Sequence, residues 1–311
     1  MKISCVEPLG ISEQRFAELQ ADFAGKGHSF VYFMNRDESD AALAERIGDS
    51  DIAIISNIKL GANVLSQCKN LKMLSVAFTG LDHIDLQYCE ANNIQVVNAA
   101  GYSTTAVSEL AVGLMIDVLR KVTELDATTR NGGSRGAFLG RELRGKTVGV
   151  VGTGAIGIAT IGLLKAFGCK VIAYSRTRKQ TVVEMGVEYC DLATLMSCSD
   201  IVTLHVPLNK ETHHLIGAEE LKLMKKTAIL INTARGNVVD IDALAVALKE
   251  NRIAGAGIDV YEKEPPLETT HPLLAAPNCV AVPHVGYATR EAFDIRADIV
   301  IDHVWEFIKG E

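Results

Sequence analysis

Short apolar runs alternate with longer amphipathic stretches along the chain, and this alternation occurs in two series. A parallel sheet requires such a pattern, because each buried strand must be followed by a connection that returns the chain to the same edge. Two α/β units are therefore predicted, each built on a parallel sheet. The strands are predicted at 2–6, 28–33, 51–55, 72–76 and 94–97 in the first series, and at 147–151, 171–174, 201–206, 228–232, 256–260 and 280–282 in the second.

The stretches between these runs have the spacing of amphipathic helices. A stretch from Ser103 to about Arg130 is predicted as one long helix, since the first cluster of helix breakers lies at 131–134. The last segment, 289–309, places its apolar residues on one helical stripe that must pack on something. Because six strands already complete the second sheet, this helix is predicted to return to the first unit. The other helices are predicted at 12–24, 39–47, 61–67, 155–167, 191–196, 218–224 and 241–250.

Composition and charge narrow the class of protein. Hydrophobic residues make up 48% and charged residues 22% of 311, the balance of a compact globule with room for two domains. The net charge is −7 without any block rich in Lys and Arg, which argues against nucleic acid as a partner. Glu7 and Pro8 stand where a signal peptide needs apolar residues, and no apolar run approaches the ~20 residues of a membrane span. A cytoplasmic protein without membrane contact is therefore expected.

Seven cysteines are present, an odd number that includes no C-x-x-C pair and no zinc-site spacing. They are expected to be buried, small apolar residues in a reducing compartment. No metal site is predicted.

The strongest local motif is Gly152-Thr153-Gly154-Ala155-Ile156-Gly157, which follows a predicted strand and opens a predicted helix. Gly152 permits a tight turn, Gly154 lets the backbone approach a pyrophosphate, and Gly157 lets helix and strand pack closely. A bare G-x-G-x-x-G also occurs in ordinary glycine turns, but here the strand, the helix and a second strand surround it. The motif predicts a Rossmann dinucleotide-binding domain at residues 99–286, beside a discontinuous domain of residues 1–98 and 287–311.

The second strand of this unit lacks the terminal Asp or Glu that binds the adenosine ribose of NAD. Tyr174 is followed by Ser175, Arg176 and Thr177, whose hydroxyl and guanidinium groups suit a 2′-phosphate. NADP is therefore the preferred cofactor. The alternative is a solvated basic loop that tolerates NAD.

A second phosphate-binding pattern, G-x-x-x-x-G-K-T, spans Gly140 to Thr147. A true P-loop follows a strand and opens a helix, whereas this segment follows a breaker cluster and leads into a strand. We interpret it as a surface turn.

Three polar residues follow predicted segments of the second unit, namely Arg235, Glu264 and His284. Residues just past the carboxyl ends of parallel strands converge on one crevice. There, a guanidinium can hold a carboxylate, an imidazolium can protonate the alkoxide left by hydride addition, and a carboxylate can orient that imidazole. Taken singly, each residue also has a purely structural interpretation: Arg235 as a surface charge, Glu264 as a loop acid and His284 as a packing histidine. Together they predict catalysis.

Several motifs in this order resemble the D-isomer specific 2-hydroxyacid dehydrogenases over nearly the whole chain. They are GLDHID at 80–85, VVGTGAIG at 150–157, DIVTLHVPL at 200–208, LINTARGNVVD at 230–240, GAGIDVYEKEP at 255–265 and PHVG at 283–286. The resemblance implies reduction of a small 2-oxo acid with NAD(P)H, a flavodoxin-like fold for the discontinuous substrate domain, and a homodimer built on the helix from Ser103. Without the resemblance, that helix is equally well interpreted as an intrachain core helix.

The resemblance also implies residue roles. Arg235 would bind substrate, His284 would donate and accept the proton, and Glu264 would support the histidine. The implied substrate contacts of the first domain are Phe78, Thr79 and Gly80. The implied cofactor contacts beyond the glycine turn and Ser175 to Thr177 are His205, Val206, Pro207, Thr233, Ala234, Arg235, Asp259, His284 and Gly286.

Differences between this sequence and particular members of the superfamily narrow the range of expected activities. Glu264 and Thr79 disfavour the formate and phosphite dehydrogenases of the superfamily, which carry Gln and Lys there. The end of the sequence at Glu311 is expected to leave out the regulatory domain of long phosphoglycerate dehydrogenases. Tyr287 and Phe78 predict an aromatic pocket, which would suit a substrate larger than glyoxylate or reflect altered packing. The rival function on the same fold is a dinucleotide-sensing interaction protein of the corepressor type.

Overall fold

A computed structural model describes residues 1–310 and divides the chain into two compact units. One unit comprises Met1–Ser103 together with the stretch from Ala288 onward, and the other comprises Thr104–Tyr287. In chain order the elements are β1 Lys2–Cys5, α1 Glu13–Gly25, β2 Ser29–Tyr32, α2 Asp40–Ile47, β3 Ile52–Ile55, α3 Ala62–Leu65, β4 Met73–Val76, α4 Leu86–Ala91, β5 Gln95–Asn98, α5 Thr104–Arg120, α6 Val122–Arg130, β6 Thr147–Val151, α7 Ala155–Ala166, β7 Lys170–Tyr174, α8 Gln180–Glu184, β8 Glu188–Tyr189, α9 Leu192–Cys198, β9 Ile201–Leu204, α10 Ala218–Leu223, β10 Ile229–Asn232, α11 Ile241–Lys249, β11 Gly255–Ile258, β12 Cys279–Ala281 and α12 Arg290–Gly310.

The first unit is a parallel sheet of five strands in the order β2-β1-β3-β4-β5, the flavodoxin-like arrangement. The central strands β3 and β4 are wholly buried, as their mostly apolar sequences require in a sheet covered on both faces. The last helix, α12, belongs to this unit: Ser75 in β4 donates to the carbonyl of Val300 at 3.2 Å. Its buried stripe includes Ala297, Val300 and Val304.

The second unit is a parallel sheet of seven strands in the order β12-β11-β10-β9-β6-β7-β8. The chain winds outward from β6 in both directions, which is the doubly wound Rossmann topology. One apolar cluster includes residues of α9, α10 and α11, and a second includes residues of α5 and α7. The predicted fold class is confirmed, and the structure adds the two-residue strand β8 to the six predicted strands.

The predicted single helix over 103–130 is wrong, because the structure breaks it at Lys121. Lys121 adopts a left-handed backbone (φ 51°) between α5 and α6. The Asp117 carboxylate accepts hydrogen bonds from the Thr123 backbone N–H at 2.9 Å and from its hydroxyl, so the second helix begins with a side-chain cap. The helix α5 buries nine residues within the second unit, whereas α6 buries none.

The division of the chain differs by a few residues from the predicted boundaries. Residues 99–103 lie in the first unit and Tyr287 lies in the second. Residues 99–103 stay with the first unit because Ala99 donates its N–H to the carbonyls of Val76 and Phe78 and the Tyr102 side chain is buried.

Three observations bear on location and metal binding. Within residues 1–310, none of the helices combines the length and apolar character needed to cross a membrane. Across that same range, no group of three or more His, Cys, Asp or Glu side chains is arranged to hold a metal ion. All seven cysteines are free, but only four are buried as expected: Cys190 and Cys279 are half-buried and Cys198 is exposed.

Candidate active site

The glycine turn joins β6 to α7, and each of its glycines is explained by a local contact. Gly152 has φ +97°, and a Cβ there would lie 2.4 Å from the carbonyl oxygen of His205. A Cβ on Gly157 would lie 2.1 Å from the carbonyl oxygen of Gly152. Gly154 faces open space, and as the N-cap of α7 it offers no side chain to the first backbone N–H groups of Ala155, Ile156 and Gly157. This is a cradle in which a diphosphate can replace the missing cap.

Two orphaned polar atoms near this turn also fit a bound dinucleotide. Within residues 1–310, the buried Thr233 Oγ1 and His205 Nδ1 make no hydrogen bond. Thr233 directly follows β10 and His205 directly follows β9, at the edge where the glycine turn lies. Since buried polar atoms in native proteins are nearly always paired, a ligand at this edge would supply what the fold omits. The other predicted contacts here, Val206 and Pro207, continue the chain after His205.

His205 is an uncharged donor or acceptor. Burial lowers the pKa of its imidazole to about 4. Its Nε2 lies 3.1 Å from the Thr203 hydroxyl, which leaves Nδ1 for a ligand.

The loop after β7 carries Ser175, Arg176 and Thr177, the predicted 2′-phosphate contacts. Arg176 is well exposed and forms a surface ion pair with Glu211 at 3.2 Å. Sequence reasoning missed Tyr189 in β8, whose hydroxyl donates to Thr153 Oγ1 at 2.9 Å and accepts the backbone N–H of Lys179 at 3.1 Å. Tyr189 thus ties the glycine turn to the end of this loop.

The segment from Gly140 to Lys146 is a turn that leads directly into β6. No helix follows it. The interpretation of the P-loop-like pattern as a surface turn is therefore confirmed.

Arg235 follows β10 on a turn that Asn232 shapes. The buried Asn232 side chain accepts the N–H of Ala234 at 3.0 Å and donates to the carbonyl of Arg235 at 2.9 Å. The Arg235 guanidinium donates to the carbonyl of Ala234 at 2.8 Å. Asn232 was not predicted as a site residue, although Asn at a strand end is a common turn former.

His284 and Glu264 are far apart in sequence and meet in the structure. Glu264 Oε2 lies 2.7 Å from His284 Nδ1. Because a carboxylate only accepts hydrogen bonds, Nδ1 carries the proton and the imidazole edge with Nε2 remains for a reacting group. The His284 side chain is 16% exposed and that of Glu264 is 59% exposed, so solvent reaches the pair. His284 has a left-handed backbone with φ 54°, an uncommon conformation for a non-glycine residue that is often associated with functional sites.

The Asp259 carboxylate holds the segment that follows His284. Its two oxygens accept the backbone N–H groups of Val285 at 2.7 Å and Gly286 at 2.9 Å. Burial raises the pKa of Asp259, while these two hydrogen bonds and the nearby His284 oppose the increase. A Cβ on Gly286 would lie 2.8 Å from the carboxylate, which explains the glycine. Asp259 and His284 follow the neighbouring strands β11 and β12, and Arg235 follows β10 beside them.

The predicted substrate loop of the first unit follows β4. Phe78 is buried, with its ring perpendicular to that of His83 at 6.2 Å and 6.4 Å from the ring of Tyr102. Asn98 donates to the carbonyl of Thr79 at 2.6 Å, and Thr79 itself is exposed. Gly80 completes the loop as a half-buried residue. In the second unit, the Tyr287 ring stands perpendicular to the His284 ring at 5.4 Å.

Comparison with known proteins gives matches to sequence and to structure. Residues 112–286 match the model of the D-isomer specific 2-hydroxyacid dehydrogenase NAD-binding domain. The chain is 43% identical over 279 residues to a glyoxylate reductase of Thermococcus litoralis, covering 86% of this chain and 84% of that protein.

Two solved structures are similar over the full chain. The TT0316 protein of Thermus thermophilus has a TM-score of 0.89 at 32% identity, covering 100% of this chain and 98% of the other. An acyclic imino acid reductase in complex with NADPH and D-Arg has a TM-score of 0.88 at 30% identity, with the same coverage. The family resemblance predicted from the motifs is confirmed.

Proposed function

Because the chain belongs to the D-isomer specific 2-hydroxyacid dehydrogenase family, we propose that it reduces a small 2-oxo acid to the D-2-hydroxy acid, or catalyses the reverse reaction. The observation that carries this proposal is the contact between Glu264 and His284 at the edge of the sheet that also presents Arg235. A nicotinamide cofactor supplies the hydride when bound, and the glycine turn with the orphaned Thr233 and His205 atoms fits it.

Each of the three residues has a distinct task in this reaction. Arg235 binds the substrate carboxylate and polarises the neighbouring carbonyl. As the carbonyl carbon accepts the hydride and its electron pair, the oxygen takes a proton from His284 Nε2. Glu264 holds Nδ1–H and thereby fixes the orientation of the imidazole for this transfer. In the first unit, Phe78, Thr79 and Gly80 remain proposed substrate contacts.

A screen of wild-type protein with NADH and NADPH tests the function. Glyoxylate, hydroxypyruvate and phenylpyruvate are offered, and loss of the near-ultraviolet absorbance of the reduced cofactor is followed. We expect steady, substrate-dependent oxidation with at least one 2-oxo acid. Tight cofactor binding without turnover would contradict the proposal and favour the dinucleotide-sensing alternative.

We further propose that NADPH is preferred over NADH. Arg176 provides a positive charge after β7, and Ser175 and Thr177 flank it with hydroxyl groups. The similar imino acid reductase was solved with NADPH. The same screen tests the preference through the two values of kcat/KM.

A homodimer is proposed as the assembly, with α6 and the segment after it at the interface. No residue of α6 is buried, Leu139 is 81% exposed, and an open groove of about 570 Å³ lies between Lys121, Thr123 and the edge strand β12. Sedimentation at several concentrations should show a dimer that Leu139→Asp weakens. The matched variant Val183→Asp, at another exposed apolar position in the second unit, should leave the dimer intact.

A further inference from the structure

We propose that Tyr261 is a positioning residue that sets the spacing of Arg235, Glu264 and His284. This inference rests on the proposed function, which gives those three residues one reaction. Tyr261 lies between β11 and β12 with its side chain buried. Tyr261 contacts the segments that carry His284 and Arg235, and it precedes Glu264 by three residues.

The first connection runs to His284. The Tyr261 hydroxyl lies 3.0 Å from the carbonyl oxygen of Val282 and 3.3 Å from that of Ile258, and the nearer carbonyl is the better acceptor for its single proton. The same carbonyl accepts the backbone N–H of His284 at 3.1 Å. A shift of Val282 therefore moves His284, because a single backbone turn joins them. The left-handed backbone of His284 leaves few other conformations in which the turn could absorb the shift.

The second connection runs to Arg235. Its neighbour Gly236 packs directly against the Tyr261 backbone: a Cβ there would lie 1.9 Å from the Tyr261 carbonyl carbon. Only glycine allows this approach. The end of the turn that carries Arg235 is therefore placed by contact with the Tyr261 main chain.

The third connection runs to Glu264, which follows Tyr261 by three residues. The His271 ring stands perpendicular to the Tyr261 ring at 5.5 Å, and its Nε2 lies 3.2 Å from the Glu262 carboxylate. The chain leading to Glu264 is thus fixed at Tyr261 and again at Glu262. Its direction toward His284 follows from these two anchors.

The hydroxyl of Tyr261 is the part of this arrangement that can be removed without changing the packing of the ring. In Tyr261→Phe, the Val282 carbonyl loses the hydrogen bond from the side chain, and the segment carrying His284 can move relative to Glu264. We expect kcat to fall on the order of tenfold, because small misplacements of catalytic groups are costly. The fall should appear in kcat and not in cofactor binding: the affinity for NAD(P)H should stay within about twofold of the wild-type value, since the glycine turn is untouched.

A kinetic isotope measurement separates positioning from a loss of folded protein. Fewer active molecules lower kcat but leave the solvent deuterium isotope effect unchanged. Slower proton transfer from a displaced His284 raises it. We expect the solvent isotope effect on kcat to increase in Tyr261→Phe and to remain at the wild-type value in Tyr32→Phe, a matched variant in the first unit.

A second readout does not depend on turnover. The proton on His284 Nδ1, held by Glu264, should give a resolved NMR signal in protein labelled with ¹⁵N-histidine, assigned by its absence in His284→Asn. In Tyr261→Phe this signal should broaden or disappear. The inference would be overturned if Tyr261→Phe showed the wild-type solvent isotope effect, the wild-type kcat and the wild-type His284 signal. A wild-type protein that shows no turnover would contradict the proposed function instead, and the NMR signal would still decide the role of Tyr261.

Gly236→Ala tests the backbone contact. Its Cβ cannot be placed without moving the turn, so we expect a larger fall in kcat than in Tyr261→Phe. Gly113→Ala is the matched control, because the added Cβ in α5 meets nothing within 4 Å. A Gly236→Ala protein with wild-type kcat would contradict the contact.

Discussion

The carboxyl edges of the two sheets both carry charged side chains, but the two units use them differently. In the first unit, Glu7 and Arg296 are only 1% and 3% exposed. Glu7 accepts the N–H groups of Ser56 at 2.6 Å and Ile58 at 3.3 Å and pairs with Arg36. Arg296 donates to the Ser56 hydroxyl at 3.1 Å and to the carbonyl of Leu9 at 2.6 Å. These charges hold loops of their own unit together.

In the second unit, the Glu264 and His284 pair at the sheet edge is within reach of solvent, although Asp259 beside it is buried. Glu264 is more than half exposed, and two polar atoms nearby, Thr233 Oγ1 and His205 Nδ1, lack partners among residues 1–310. A buried charge whose partners belong to its own unit acts on stability, whereas a solvent-accessible pair beside buried polar atoms that make no hydrogen bond can act on a ligand. Five substitutions, each compared with the wild type or a control variant, can break or sharpen this difference.

The largest effect is expected at His284. His284→Asn keeps a residue that tolerates the left-handed backbone but removes the proton donor, so kcat/KM should fall roughly 10³-fold. The free energy of unfolding should change by less than about 1 kcal/mol, because the side chain is partly exposed. Cofactor titration should still show binding. Arg235→Ala should abolish turnover in the same way.

His213→Gln, on the loop after β9, is the control for His284→Asn. Its kinetics should match those of the wild type. If His284→Asn and Arg235→Ala both kept wild-type rates, the roles assigned to these residues would be wrong.

The opposite pattern is expected at Arg296. Arg296→Met removes the donor to the Ser56 hydroxyl and the Leu9 carbonyl and takes one nearby positive charge from Glu7, which should cost about 3 kcal/mol of unfolding free energy. Burial already raises the pKa of Glu7, a direction that loss of Arg296 should reinforce. Denaturant unfolding measures the change. Arg290→Met, at the exposed start of α12, should cost almost nothing; equal stabilities for the two variants would refute the structural role of Arg296.

The pH dependence of stability should reveal His205. Its folded pKa of about 4 lies below the ordinary value of 6.5, so the unfolded chain binds the proton first as pH falls. Its contribution is complete above pH 6.5 and is lost as the pH falls toward 4. Between pH 7.5 and pH 5, the wild type should lose about 2 kcal/mol more than His205→Gln. Parallel losses in both proteins would show that the imidazole is not held neutral.

The smallest effect is expected at Glu211, which pairs with Arg176 and, under the proposed NADPH preference, competes with the 2′-phosphate for it. An exposed ion pair is weak, so Glu211→Gln should lower the KM for NADPH by about threefold and leave that for NADH unchanged. Glu219→Gln removes a comparable surface charge that pairs with Lys222 and serves as the control. A change shared by both cofactors would argue against a phosphate site at Arg176.

The alternation of apolar runs was sufficient to predict both sheets, because fully buried parallel strands such as β3, β9 and β10 are composed mostly of apolar residues. The break at Lys121 was not predictable from periodicity, since the apolar spacing continues across it and the cap comes from Asp117 in the preceding turn. Strand β8 was missed because it is only two residues long.

The candidate site was predictable where chemistry and position coincide. Arg235, Glu264 and His284 could be named because each has a reactive group near the end of a predicted segment. The residues that orient them were not predicted: the packing of Gly236 against Tyr261, and the bonds of Asn232 to the Arg235 turn, depend on how separate segments meet. Such contacts leave no periodic signal in one sequence.

Isotope transfer from the cofactor to the product tests the central claim most directly. Wild-type protein is given hydroxypyruvate and reduced cofactor that is dideuterated at C4, and the product is examined by mass spectrometry and chiral chromatography. We expect D-glycerate with one deuterium on C2, since hydride passes directly to the carbonyl carbon while the proton on oxygen comes from His284. Unlabelled product would contradict direct hydride transfer from the cofactor, and the L enantiomer would contradict the proposed D-specific reaction.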